Sequence, residues 1–195
     1  MQNLIPSTPM PPYFQWVIDN LLAISAHPYH ASHIKYLLEH KIQTIISVSD
    51  NQAHVPPHQS RGELHVLHMD VPDGGAPTTE QIQQFVNRMD VAKQRNEGIV
   101  VECIRGKGAA AVLVGCYLMK IWQSPPDYVV NQLRLMRPIA LETPIQEQTL
   151  IDYHKIISPR FYQYYAEVDM PHSWDIDTSY LRTTNLATTK QLSLA

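Results

Sequence analysis

The sequence predicts an α/β domain in which strands alternate with helices around a largely parallel central sheet. Three observations carry this. Short β-branched or apolar runs, Thr44 to Val48 and Ile99 to Val101, have the length and composition of buried strands. Stretches with apolar residues at helical spacing separate them. The run at Ile99 leads directly into a glycine-bearing turn and an Ala-rich helix, the junction of a strand–turn–helix unit.

Residues 1–12, with Pro6, Pro9, Pro11 and Pro12, read as an extended leader that cannot be helical. The domain proper is expected over residues 13–157. Phe14 to Ser25 suggests one or two short strands. Ile34 to His40 is helical in pattern, with Ile34, Leu37 and Leu38 on one face. A polar, Pro-rich loop from Ser49 to Gly62 precedes a strand at Leu64 to Met69. Pro72-Asp73-Gly74-Gly75 is a turn, and Thr78 or Thr79 can cap a helix whose core face is Ile82, Phe85, Val86 and Met89. The Ala-rich helix should run to about Ile121. Pro125 and Pro126 open a further helix that ends by Arg137-Pro138, and a last one runs from Pro144 to about Ile156. Residues 158–195, Tyr-rich and then Thr- and Ser-rich, read as a C-terminal tail, partly docked and partly disordered.

Composition narrows the function. With 195 residues and 44% hydrophobic content the chain can bury a full core. A net charge of -3 and the lack of a basic cluster argue against nucleic acid as the partner. No apolar run reaches the roughly 20 residues of a membrane helix, so no membrane is expected. Two cysteines, Cys103 and Cys116, make no disulfide framework, and the expected setting is the reducing cytoplasm, with the nucleus as a second compartment. A monomer is expected. His27, His30 and His33 recur every third residue and His65 and His68 flank a strand, but no ligand set converges in the pattern. They read as surface or capping residues, with no metal and no cofactor implied.

The segment Cys103-Ile104-Arg105-Gly106-Lys107-Gly108-Ala109 is the candidate site. A turn that aims backbone N–H groups inward, followed by a helix N-terminus, binds anions. A cysteine at its mouth has its thiolate stabilised by the same field. The alternative is a small buried residue closing a strand. Gly106 to Ala111 also fits the loose dinucleotide fingerprint, although that needs a second strand with an acidic residue about 20 positions on. A nucleotide P-loop fails, because Ala109 follows Gly108 where a magnesium-binding hydroxyl is required.

Three separated blocks resemble the small, single-domain atypical dual-specificity phosphatases, over about residues 13–157. IVVECIRGKGAAAVLVGCYLMK, Ile99 to Lys120, is similar to their signature, His-Cys-x-x-Gly-x-x-Arg-Ser/Thr. Val71-Pro72-Asp73 with Ala76-Pro77 resembles their general-acid loop, and Leu133 to His154 their Arg-Pro, Glu-Thr, Gln-Glu block. The resemblance implies the cysteine-phosphatase fold, with Cys103 as nucleophile, Asp73 as general acid (Asp70 its neighbouring alternative) and Ile104 to Ala109 as the phosphate loop. Gln146 matches, more weakly, a residue that positions water.

The departures fall on the chemistry. Glu102 replaces the histidine before the cysteine, Ala109 the arginine, Ala110 the hydroxyl residue and Ala111 a glycine. Arginine offers a bidentate fork to the equatorial oxygens of a transferring phosphoryl group, and a methyl cannot. Such arginines are worth roughly 10³–10⁵ in rate, or about 4–7 kcal/mol. A carboxylate at Glu102 disfavours thiolate and dianion alike, unless strand alternation carries it to the opposite face. Arg105 or Lys107 could bring a substitute cation.

The sequence therefore points to a pseudophosphatase that binds a phosphorylated protein or peptide. The alternatives are an active atypical phosphatase using Cys103 and Asp73, a loop that binds nothing, and, remotely, a dinucleotide-binding domain.

Overall fold

The computed structural model describes residues 8–50, 64–103 and 108–162. The leader's first residues, most of the Pro-rich loop, the phosphate-loop residues Ile104, Arg105, Gly106 and Lys107, and the tail beyond Tyr162 lie outside the described residues. The chain divides into two compact units, Met1–Pro159 and Arg160–Ala195, and the sheet with its helices belongs to the first.

The elements alternate as the sequence predicts: β1 Gln15–Ile18, β2 Leu22–Ser25, α1 Ala31–Glu39, β3 Ile42–Ser49, β4 His65–Asp70, α2 Thr79–Arg95, β5 Gly98–Glu102, α3 Ala109–Trp122, α4 Pro126–Met136 and α5 Pro144–Ile157. The strands form one sheet in the order β1-β2-β5-β3-β4. Among the described strands only the β1–β2 pairing is antiparallel; β2, β5, β3 and β4 run parallel. Element ends differ from the sequence reading by a few residues, β3 beginning at Ile42 and α1 at Ala31. The dinucleotide alternative is overturned here, since α3 is followed by α4 and not by the strand that fold requires.

Alternation along β5 separates two cores. Ile99 and Val101 face a cluster that includes Phe85, Leu113, Tyr117 and Leu150, whereas Val100 faces Phe14, Ile34, Leu37 and Ile45. Helices α2 to α5 thus line one face and α1 the other. Helix α3 is the pivot, with every residue from Ala110 to Met119 buried. That explains its composition, because a helix enclosed all round has no polar stripe. At Gly115 an added Cβ would stand 2.9 Å from Leu150 and 3.2 Å from Leu133, so α4 and α5 approach through that gap.

Local chemistry fixes the ends. Thr78 caps α2 in a reciprocal box: its hydroxyl accepts from Gln81 N–H at 3.2 Å, and the Gln81 side chain accepts from Thr78 N–H at 2.8 Å. His30 caps α1 by accepting from Ser32 N–H. The leader is tied where it meets the sheet, with Ala26 N–H donating to Pro12 O at 2.9 Å. His33 departs from the surface role expected of it. It is buried, and burial, then His30, pushes its pKa down.

Candidate functional site

Parallel strands deliver their C-terminal ends to one edge of a sheet, where α/β proteins gather ligands. Here β3, β4 and β5 end at Ser49, Asp70 and Glu102, and a pocket opens just beyond them. It brings together Cys103, Asp73, Gly108 and Ala109 from the sequence-predicted set, and Gln146 from α5. Asp70 is not among its lining residues; instead its carbonyl accepts from the Gln81 side chain at 2.9 Å.

Cys103 is half-buried at the pocket, and Cys116, two helical turns into α3, is fully buried. Burial pushes the Cys116 thiol well up, which leaves it as packing. Helix α3 starts at Ala109 behind Gly108, and no described side chain caps it. Its N-terminal partial charge therefore faces the pocket. A Cβ at Gly108 would stand 2.9 Å from Gln146 Nε2 and 3.2 Å from Glu142 Oε2, so a larger residue there requires those side chains to shift.

The acid-loop candidate is held from several directions. Gly74 has φ +73°, the backbone that makes glycine the fitting third residue of the Pro72–Gly75 turn, and Gly75 N–H closes it onto Pro72 O at 2.9 Å. Thr143 Oγ1 donates to Gly74 O at 2.8 Å, and Gln146 Nε2 donates to Gly75 O at 2.9 Å. Gln146 Oε1 accepts from Glu142 N–H at 2.8 Å. Leu141, just before, holds φ +62° with its side chain buried, a left-handed backbone that turns the chain into the pocket wall.

Asp50, Asp73 and Glu142 line the pocket, and no lysine or arginine does among its described lining residues. Sequence reasoning missed Asp50 and Glu142. The position of Asp50 directly after a strand was the available signal, and Glu142 had none beyond its block. Glu102 is 2% exposed and pairs with His27 Nδ1 at 3.3 Å. Alternation sends it to the Val100 face, while Cys103 packs with the Val101 core. Arg137 donates to Tyr13 O, and burial lowers its guanidinium, an effect that the charge of Cys103 partly opposes.

A family model described as PTP-SAK, the Swiss Army Knife protein DSP-PTPase phosphatase domain, matches residues 11–150. The chain belongs to this family. As a PTP-SAK domain it has curated relatives among dual-specificity phosphatases. It is 27% identical to the mouse dual specificity protein phosphatase CDC14B over 152 residues, 71% of the chain and 30% of that relative. It is 28% identical to the Caenorhabditis elegans tyrosine-protein phosphatase cdc-14 over 133 residues, 67% of the chain and 18% of the relative. The PTP-SAK chain thus spans less than a third of the length of either. Its fold matches the human tyrosine phosphatase-like serine/threonine/tyrosine-interacting protein at a TM-score of 0.67, with 18% identity, covering 74% of this chain and 97% of that one. It also matches PTPMT1 in complex with PI(5)P, at a TM-score of 0.64 and 16% identity over 73% and 96% of the two chains. The domain is a dual-specificity-phosphatase-like one.

Proposed function

We propose that this domain is a pseudophosphatase, a phosphoprotein-binding member of its family in which turnover is lost or severely impaired. One observation carries the reading. The first residue of α3, at the pocket, is Ala109, where the family's signature has an arginine. Phosphoryl transfer is catalysed mainly by electrostatic positioning, so the missing fork removes stabilisation from the transition state itself. Ala110 is fully buried and offers no hydroxyl to the cysteine. Carboxylates at Asp50, Asp73 and Glu142 add repulsion toward a dianion. What favours binding is the α3 N-terminus at the pocket.

A second reading has its own support. Cys103 and Asp73 line the same pocket, the arrangement that an attacking thiolate and a proton donor require. In that case Cys103 attacks phosphorus and Asp73 protonates the departing oxygen, at a rate set by whatever cation replaces the arginine.

Hydrolysis of an aryl phosphate separates the two. Because Glu102 faces His27 on the other side of β5, the restoring variant need change only α3: Ala109→Arg/Ala110→Ser. Turnover is expected to rise roughly 10³-fold or more over wild type, and Cys103→Ser should abolish the gain. Wild-type turnover close to that of the restored chain, lost in Cys103→Ser, would overturn the pseudophosphatase reading. Binding is read separately, as a rise in melting temperature with orthovanadate or a phosphopeptide at millimolar concentration, as any ligand of the native state must give.

A further inference from the structure

We infer that Thr143 and Gln146 form a clasp that holds the Asp73 turn seated over the pocket before any ligand arrives. The inference rests on reading Asp73 as the acid-loop carboxylate. Its warrant is the pattern of hydrogen bonds.

Thr143 stands at the N-cap position of α5, where a threonine hydroxyl ordinarily accepts from an N–H of its own helix. It makes no such cap. The hydroxyl instead donates to Gly74 O at 2.8 Å, across to the turn that carries Asp73. One helical turn on, Gln146 is completely buried, and both ends of its amide are committed. The oxygen accepts from Glu142 N–H at 2.8 Å, and the nitrogen donates to Gly75 O at 2.9 Å. A donor at one end and an acceptor at the other fix the amide's orientation.

Successive carbonyls of one turn are thus gripped by successive contacts of one segment. From the other side Gln81 reaches back to Asp70 O at 2.9 Å, so the loop is tethered at its entry and at its tip. A buried amide that lets go leaves a donor and an acceptor unsatisfied, which makes release costly. The turn is consequently part of the pocket's permanent wall, not a lid that closes on substrate. Thr143 and Gln146 are positioning residues acting through the turn. Glu142, whose N–H enters the same network, has its carboxylate placed against Gly108 by it.

The test compares amide hydrogen exchange in the full chain with that of Thr143→Val, which keeps the shape and loses the donor, and of Thr143→Ser, which keeps the donor. Thr143→Val should raise exchange of the Gly75 amide, which closes the turn onto Pro72 O, about tenfold, with α3 and β5 unchanged, and Thr143→Ser should stay within about twofold of wild type. Unchanged protection in Thr143→Val, or equal loss in Thr143→Ser, overturns the clasp. A second readout uses the Ala109→Arg/Ala110→Ser background. There Thr143→Val should slow phenyl phosphate, whose leaving group needs a proton, at least tenfold more than 2,4-dinitrophenyl phosphate, whose leaving group does not. Equal slowing of both would mean a general structural role and would also overturn the assignment. If the restored chain shows no turnover, the failure belongs to the catalytic reading of the loop, and exchange alone decides the clasp.

Discussion

One wall of the pocket is the Pro72–Gly75 turn with Thr143 and Gln146 behind it; the other is the first turn of α3. In the first wall polar groups are matched donor to acceptor at 2.8–2.9 Å across segments far apart in sequence. In the second, Ala109, Ala110 and Ala111 present methyl groups where the family signature has a guanidinium, a hydroxyl and a glycine. The first wall is held by matched polar bonds, and the described residues of the second offer no side-chain charge. An enzyme needs both frame and charge, because the transition state is recognised by charge held in a fixed frame. A binding module needs mainly the frame, which is the contrast the proposed reading puts to the test.

The two walls meet at Gly108, and the largest effect is expected there. Gly108→Ala drives a methyl to within 2.9 Å of Gln146 Nε2, so Gln146 must move and the Gly75 contact with it. Such overpacking should cost about 1–3 kcal/mol by denaturant unfolding, and the stabilisation by vanadate should disappear. Unchanged values in both measurements would show that the walls are independent.

A smaller effect sharpens the electrostatic half of the contrast. Glu142→Gln removes one of the pocket's carboxylates while keeping its shape. At separations of about 4 Å in a water-like medium the relief is on the order of 1 kcal/mol, so vanadate affinity should rise a few-fold by calorimetric titration at low salt. The gain should shrink toward nothing near 1 M salt. No gain at low salt would mean that Glu142 does not face the bound anion.

Much of the scaffold could be read from residue order. Helical spacing at Ile82, Phe85, Val86 and Met89, and the β-branched runs, gave elements whose ends moved by only a few residues, because buried faces impose their period on sequence. At the pocket, Cys103, Gly108 and Ala109 could be read from one contiguous strand–turn–helix segment, and Asp73 and Gln146 from separate blocks of the family resemblance. Thr143 shows why the rest could not. It stands before Pro144 at the N-cap position of α5, and its hydroxyl leaves the helix for Gly74, a partner far off in sequence. The Glu102–His27 pair and the Leu141 backbone are likewise set by strand neighbours and packing that spacing does not encode.

The smallest expected effect concerns the scaffold behind the second wall. His154 on α5 is buried, and burial holds its pKa below the usual value although Asp127 opposes the shift. The unfolded chain binds that proton near pH 6.5 and the folded chain only at lower pH. Between those values the unfolded state holds more protons, so stability rises with pH through the window and falls as the solution is acidified below about 6.5. Thermal melts of His154→Gln should show a flatter dependence between about pH 5 and 7. Some slope should persist, because His33 is shifted in the same direction. A wild-type melting temperature that is level across that range would contradict the assignment.

The position of β5 has a consequence in time. It lies in the middle of the sheet, paired in parallel with β2 on one side and β3 on the other, both from much earlier in the chain. Pairings between remote segments form slowly, because loop entropy is lost before contacts return it. The central strand that ends beside Cys103 is completed only when the first quarter of the polypeptide has met its middle. Until then the strand ends and the Asp73 turn that line the pocket are not gathered around the sulfur. A chain arrested before that pairing would carry Cys103 without the assembled pocket around it.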